Sequence, residues 1–123
     1  MKFIPLFKVT DMRIALRHYT EVLDFVMTCK EDTSVSAVVD LGHDEMELQL
    51  TTHESEKLFG SVVNVFVEDV DALYNKFKSR GLNALSRPES PVHSWPINQT
   101  WGRREFYVTD TDGNTLRFAQ VIE

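Results

Sequence analysis

The chain has 123 residues and a net charge of −6, from 13 Lys and Arg against 19 Asp and Glu. Hydrophobic residues make up 42%, an ordinary share for a globular domain, and no apolar run approaches the ~20 residues that span a bilayer. Phosphate recognition needs clustered Lys and Arg, so this balance argues against nucleic acid as a partner.

The first predicted element is a strand over residues 2–9. Its apolar start is broken by Pro5 and ended by Lys8, too short and irregular for a secretory signal, so a cytoplasmic protein is expected. Asp11 is placed to cap a helix in which Met12, Ala15, Leu16 and Tyr19 recur at helical spacing. Strand patterns follow at 25–30, 34–41 and 45–52, with Gly42-His43-Asp44 as a turn between the last two. The single cysteine, Cys29, excludes an internal disulfide and a Cys-rich metal site, and reads as a buried thiol in a strand. Residues 53–60 form a polar linker.

The same order then returns. Val9-Thr10-Asp11-Met12 matches Val67-Glu68-Asp69-Val70, 58 residues on. A strand is predicted over 61–68. Asp69 caps a second helix in which Val70, Leu73, Tyr74 and Phe77 match the four apolar positions of the first, and Gly81 ends it. Strands are predicted at about 83–87, 103–109 and 114–121, the last two joined at Asp112-Gly113-Asn114. Residues 86–100 hold three of the four prolines and no period, the place for a binding loop or a plain connector. Each half therefore reads β-α-β-β-β. The chain is expected to be a single α+β domain made by duplication, with module one at about 1–52 and module two at about 61–123.

Strand alternation sorts the residues by face. Met46, Leu48 and Leu50 oppose Glu47, Gln49 and Thr51. Phe106 and Val108 oppose Arg103, Glu105 and Tyr107. Leu116 and Phe118 oppose Thr115, Arg117 and Ala119. One amphipathic helix per half can cover each apolar side. The other sides are costly to bury dry; they suit a cavity with water or ligand, or bulk solvent.

The stretch Trp101-Gly102-Arg103-Arg104-Glu105-Phe106-Tyr107-Val108-Thr109-Asp110-Thr111-Asp112-Gly113-Asn114 resembles the "WG-x-REF-x-x-x-D-P-D-GN" signature of bleomycin-resistance-type proteins in the glyoxalase/bleomycin resistance/dioxygenase superfamily, with Thr111 in place of proline. Asp11 through Phe25 resembles that family's first helix and turn, with Asp24 where the pattern has glycine, and Val65 through Tyr74 resembles its second-module opening. The resemblance covers most of the chain. It implies two β-α-β-β-β modules that form a cupped mixed sheet.

In catalytic members the resemblance implies a metal held from matching strand positions. Those positions fall at Ile4, Val62, Arg117 and Gln49, or Glu47 if the register slips by two. Isoleucine and valine cannot ligate, and a guanidinium has no lone pair for a cation. His18, on the exposed side of the first helix, and His43, His53 and His93 are read as surface residues and form no chelating pair. No metal, cofactor or catalytic residue is therefore expected. The resemblance then implies a homodimer whose clefts sequester a small molecule such as a bleomycin-like antibiotic, with no membrane partner. Trp101 and Trp95 are expected to stack on it, Phe66 and Tyr107 to line the face, and Glu47, Gln49, Asn64, Glu105 and Arg117 to supply polar contacts. Arg117 would alternatively pair with Glu47 or Glu105. A divergent metal-dependent lyase or dioxygenase, or a binder of another metabolite, are the competing readings.

Overall fold

The computed structural model describes residues 1–28, 37–83 and 93–122. In chain order these form β1 (Leu6–Lys8), α1 (Met12–Leu16) running on into a π-helical turn (Arg17–Val22), β2 (Val26–Met27), β3 (Val38–His43), β4 (Met46–Thr51), β5 (Val62–Phe66), α2 (Val70–Ser79), β6 (Ile97–Asn98), β7 (Arg103–Thr109) and β8 (Thr115–Val121). They build two four-stranded sheets, ordered β1-β4-β3-β2 and β5-β8-β7-β6. The duplication holds to the register. Leu6 pairs with Gln49 and Gln49 with Asp40 in the first sheet. Asn64 pairs with Arg117 and Arg117 with Tyr107 in the second.

The local signals behave as their chemistry dictates. Asp11 accepts hydrogen bonds from the Arg13 and Ile14 amides, and Asp69 from that of Ala72, at the starts of the two helices. Gly81 leaves α2 at φ +97°, where a side chain would be strained. Gly113 turns the β7–β8 hairpin at φ +87°. Phe77 of α2 sets its ring 6.3 Å from Phe106 and 5.4 Å from Phe118, and these two stack at 5.2 Å. Tyr19 plays the same part in module one, against Phe7 and Phe25. Both helices and the inner faces of both sheets share one continuous core. Burying each such ring contributes roughly 1.5–3 kcal/mol.

Several boundaries differ from expectation. β1 is shorter than the run over 2–9, so Ile4 precedes it. Among the described residues of the first predicted inner strand, Val26–Met27 is paired, and the Thr28 amide donates to the Asp40 carbonyl. Cys29, the start of the 34–41 pattern and nearly all of the 83–87 pattern lie outside the described residues. The fourth strand of the second sheet is β6, inside the stretch expected to be irregular. It pairs Ile97 with Glu105 and Asn98 with Arg104. The ladder is extended by the Tyr107 amide donating to the His93 carbonyl and the Gln99 amide to the Arg103 carbonyl. Two residues are too few for alternation to show, and Pro96 just ahead of them reads as a breaker.

The signature turn ties the modules together. Asn114, fully buried, donates from Nδ2 to the Lys8 carbonyl at 2.8 Å and accepts at Oδ1 from the Ser61 amide at 3.1 Å. Asp110 accepts from the Tyr19 hydroxyl at 2.8 Å and from the Asp112 and Asn114 amides at 2.9 Å. Asp112 accepts from the Thr10 hydroxyl and amide. Asp24, at φ +63° in the position of the family's glycine, turns this conformation to use. Its carboxylate meets Lys76 at 2.6 Å and Arg80 at 3.3 Å, both on or beside α2.

Candidate functional site

α1 packs on the first sheet and α2 on the second. The opposite faces carry exposed apolar residues along β1 and β5, where Leu6, Val62 and Phe66 are all more than a third exposed, whereas Glu105, Tyr107, Thr115 and Ala119 on β7 and β8 are buried. Strand pairing puts side chains of opposed residues on one face. The outer face of the second sheet therefore carries a row Asn64–Arg117–Tyr107 beside a row Phe66–Ala119–Glu105. Five of the nine expected site residues stand together there.

Glu105 dominates the electrostatics of this face. It is 1% exposed. One carboxylate oxygen accepts from the Trp101 indole N–H. The other faces Arg117, whose terminal nitrogen is 3.8 Å away. Arg117 thus pairs with Glu105, one of the two partners expected for it, at a distance too long for a direct hydrogen bond. Glu105 Oε2 and Arg117 Nε are both buried and without a hydrogen-bond partner. Trp101 keeps its ring about half exposed while its N–H is held. Tyr107 is buried rather than lining an open surface. The Arg103 guanidinium lies 4.7 Å over the Phe66 ring. Arg103 shares the strand parity of Glu105 and was legible by alternation as a member of this face, though not as a partner of Phe66.

The remaining expected residues lie elsewhere. Glu47 and Gln49 are on the outer face of the first sheet, where Lys2 pairs with Glu47 and the Gln49 amide donates to Asp40 at 2.8 Å. Trp95 is half exposed on the segment leading to β6, against the His93 ring at 5.0 Å.

The positions at which the resemblance would put metal ligands do not suit a cation. Ile4 and Val62 offer only exposed hydrocarbon, the Arg117 guanidinium is itself a cation turned to Glu105, and the Gln49 amide is bonded to Asp40. Among the described residues no three His, Cys, Asp or Glu side chains stand together as a metal site would need.

His18 departs from its expected surface role. It is half-buried, its ring edge-on to Tyr19 at 4.9 Å. Burial lowers its pKa against a smaller opposing pull from Asp110. Burial also raises the Tyr19 pKa, and the nearby Asp110 carboxylate adds to it. The widened π-helical turn that holds both residues gave no sequence signal. A cleft of about 550 Å³ runs beside His18, between α1 and the Asp110–Asp112 turn. It is on the helix side of the molecule, and its most buried carboxylate, Asp110, already has several hydrogen-bond donors. A smaller cleft of about 400 Å³ lies at the edge of the sheet face, lined by Phe66, Glu68 and Val121.

Among the described residues no helix is long and apolar enough to cross a membrane. The family model described as "Glyoxalase/Bleomycin resistance protein/Dioxygenase superfamily" matches residues 6–118. No curated protein matches the chain in sequence. The fold is similar to that of a bleomycin-binding protein crystallised with bleomycin, with a TM-score of 0.75 and 21% identity over 98% of both chains. It is similar to that of a bleomycin resistance determinant encoded on the transposon Tn5, with a TM-score of 0.75 and 20% identity over 98% of both chains. TioX from Micromonospora sp. ML1 aligns over 99% of both chains, with a TM-score of 0.76 and 18% identity. At these identities the likeness is one of fold.

Proposed function

Because the chain belongs to the glyoxalase/bleomycin resistance protein/dioxygenase superfamily, we propose that it is a small-molecule-binding protein that sequesters a drug-like ligand in clefts of a homodimer. The observation that carries this reading is the outer face of the second sheet. It combines half-exposed aromatic rings at Trp101 and Phe66 with a buried Glu105 beside a part-exposed Arg117, each with one buried polar atom left unbonded. A sheet face meant only for solvent has no use for a buried carboxylate. The proposed ligand contacts are Trp101, Phe66, Asn64, Glu105, Tyr107 and Arg117 from one copy. Glu47 and Gln49 come from the facing sheet of the other, and Trp95 lies at the rim. Exposed apolar residues on both outer faces support the pairing of two copies, since they leave sizeable hydrocarbon in water otherwise.

The first ligand to test is bleomycin, the compound held by one protein of the same fold. Isothermal titration with metal-free bleomycin should give saturable heat at one ligand per cleft, with no chemical change in the recovered drug. Absence of heat, together with no protection of cells expressing the protein, would remove bleomycin as the ligand. The substituted ligand positions Ile4, Val62 and Arg117 favour binding without metal. Elemental analysis that found a stoichiometric divalent metal, with turnover of a substrate on its addition, would replace sequestration by a metal-dependent reaction.

A further inference from the structure

Two polar atoms on the second sheet's outer face are buried with nothing to bond: the acceptor Glu105 Oε2 and the donor Arg117 Nε. Leaving a buried donor or acceptor unpaired costs roughly 1–3 kcal/mol. They belong to one cluster, since the Arg117 terminal nitrogen is 3.8 Å from that same Oε2. The protein fills the other Glu105 oxygen itself, with the Trp101 indole N–H.

The fold does not need this arrangement. By register the row Phe66–Ala119–Glu105 matches Lys8–Thr51–Val38 in the first module, so the duplicate position is held by a valine. Arg117 matches Gln49, whose amide is satisfied by Asp40. Among the described residues the unpaired acceptor and donor are thus peculiar to the second module. Carboxylate and guanidinium offset each other in charge within the pair, and the further cation of this face, Arg103, is set over the Phe66 ring. Arg117 keeps about a quarter of its side chain exposed, while its Nε is buried beside Glu105.

Resting on the ligand-binding reading above, we infer that this site selects a neutral planar group with an N–H beside a carbonyl oxygen, such as a carboxamide or lactam edge on an aromatic ring. The ligand N–H donates to Glu105 Oε2, and the ligand carbonyl accepts from Arg117 Nε. The attached ring packs against Trp101 and Phe66, both about half exposed. A site that hydrogen-bonds both atoms rejects analogues that leave one of them facing a like partner.

The test is a matched series of benzamide, benzoate and benzamidine, which share shape and differ in charge and donor pattern. Binding is read from the Trp101 indole N–H resonance, with that of Trp95, the other of the two tryptophans, as the internal reference. Benzamide is expected to move the Trp101 signal with an affinity about tenfold above either charged probe. Glu105→Gln leaves Arg117 as the surplus charge and should shift the preference to benzoate. Arg117→Met leaves Glu105 and should shift it to benzamidine. The wild-type ranking needs no variant, so a misfolded variant does not spare the inference. Equal or tighter binding of a charged probe to the wild type would overturn it, as would a ranking that neither substitution changes. If bleomycin moves the Trp101 resonance while benzamide does not, the inference alone fails. If neither bleomycin nor any of the three probes moves it, the binding reading fails as well.

Discussion

Asp24 shows how one side chain can repay an unfavourable backbone. Its φ of +63° suits glycine, and an aspartate there is strained unless its carboxylate has work to do. Lys76 and Arg80 supply that work. Asp24→Ala should keep the strain and lose the ion pairs, whereas Asp24→Gly loses the pairs and the strain together. Thermal unfolding should therefore rank wild type and Asp24→Gly above Asp24→Ala. Tyr19 and Asn114 differ in a similar way. Tyr19→Phe removes one donor from an Asp110 that keeps three others, two from backbone amides and one from the Asn114 amide, and should cost about 1 kcal/mol in denaturant unfolding. Asn114→Ala strips the Lys8 carbonyl and Ser61 amide as well, and should cost about 3 kcal/mol. Titration adds a third prediction. The His18 pKa is lowered in the folded protein from an ordinary 6.5, so the unfolded chain takes up its proton first. Stability is then full above that value and declines as pH falls below it. His18→Gln should flatten this decline in unfolding midpoints measured from about pH 8 downward. A further loss should set in below about pH 3.8, where Asp24 and Asp71, whose carboxyls are held low by Lys76 and Arg104, are forced to protonate.

At the scale of elements, what was legible followed from period. The apolar positions of α2 recur every three or four residues, and Phe77 lands between the rings of Phe106 and Phe118. Phe77→Ala should open a cavity there and cost about 3–5 kcal/mol in denaturant unfolding, more than any other single change in α2. Alternation likewise put Glu105, Tyr107 and Arg117 on one face, because seven-residue strands carry enough turns of a two-residue period to read. The same logic explains what was missed. β6 has two residues and follows a proline, so it leaves no pattern. The π-helical turn differs from an α-helix by one residue in its hydrogen bonding, and the apolar spacing that marks Tyr19 as buried does not mark the half-burial of His18 beside it. Burial of Glu105 was illegible for a different reason. It depends on Trp101 folding back four residues along the chain and on Ile97 arriving from β6 beside it, neither of which periodicity reports.

At the scale of the whole molecule, the arrangement of layers bears on where a ligand sits. Each helix covers its own sheet, and both helices share one core, so the two outer faces look away from that core. Glu47 and Gln49 are then separated by a module from Glu105, Tyr107 and Arg117, although the two sets occupy neighbouring or equivalent rows. In the two-copy arrangement proposed above, the first sheet of one protomer closes over the second sheet of its partner, and each cleft draws on both sets. That arrangement makes Leu6 informative. It lies on the outer face of β1, partly exposed and outside the buried core, in the row with Gln49. A charge there has little to disrupt within one chain but would be buried against a partner. Leu6→Lys should therefore leave the unfolding midpoint of the isolated chain nearly unchanged while shifting sedimentation from dimer to monomer. Bleomycin affinity should fall at least tenfold with it, because half of each cleft is withdrawn. A monomeric Leu6→Lys variant that bound bleomycin as tightly as the wild type would locate the site on the second sheet alone, with Trp101, Phe66 and the Glu105–Arg117 pair sufficient to hold the ligand.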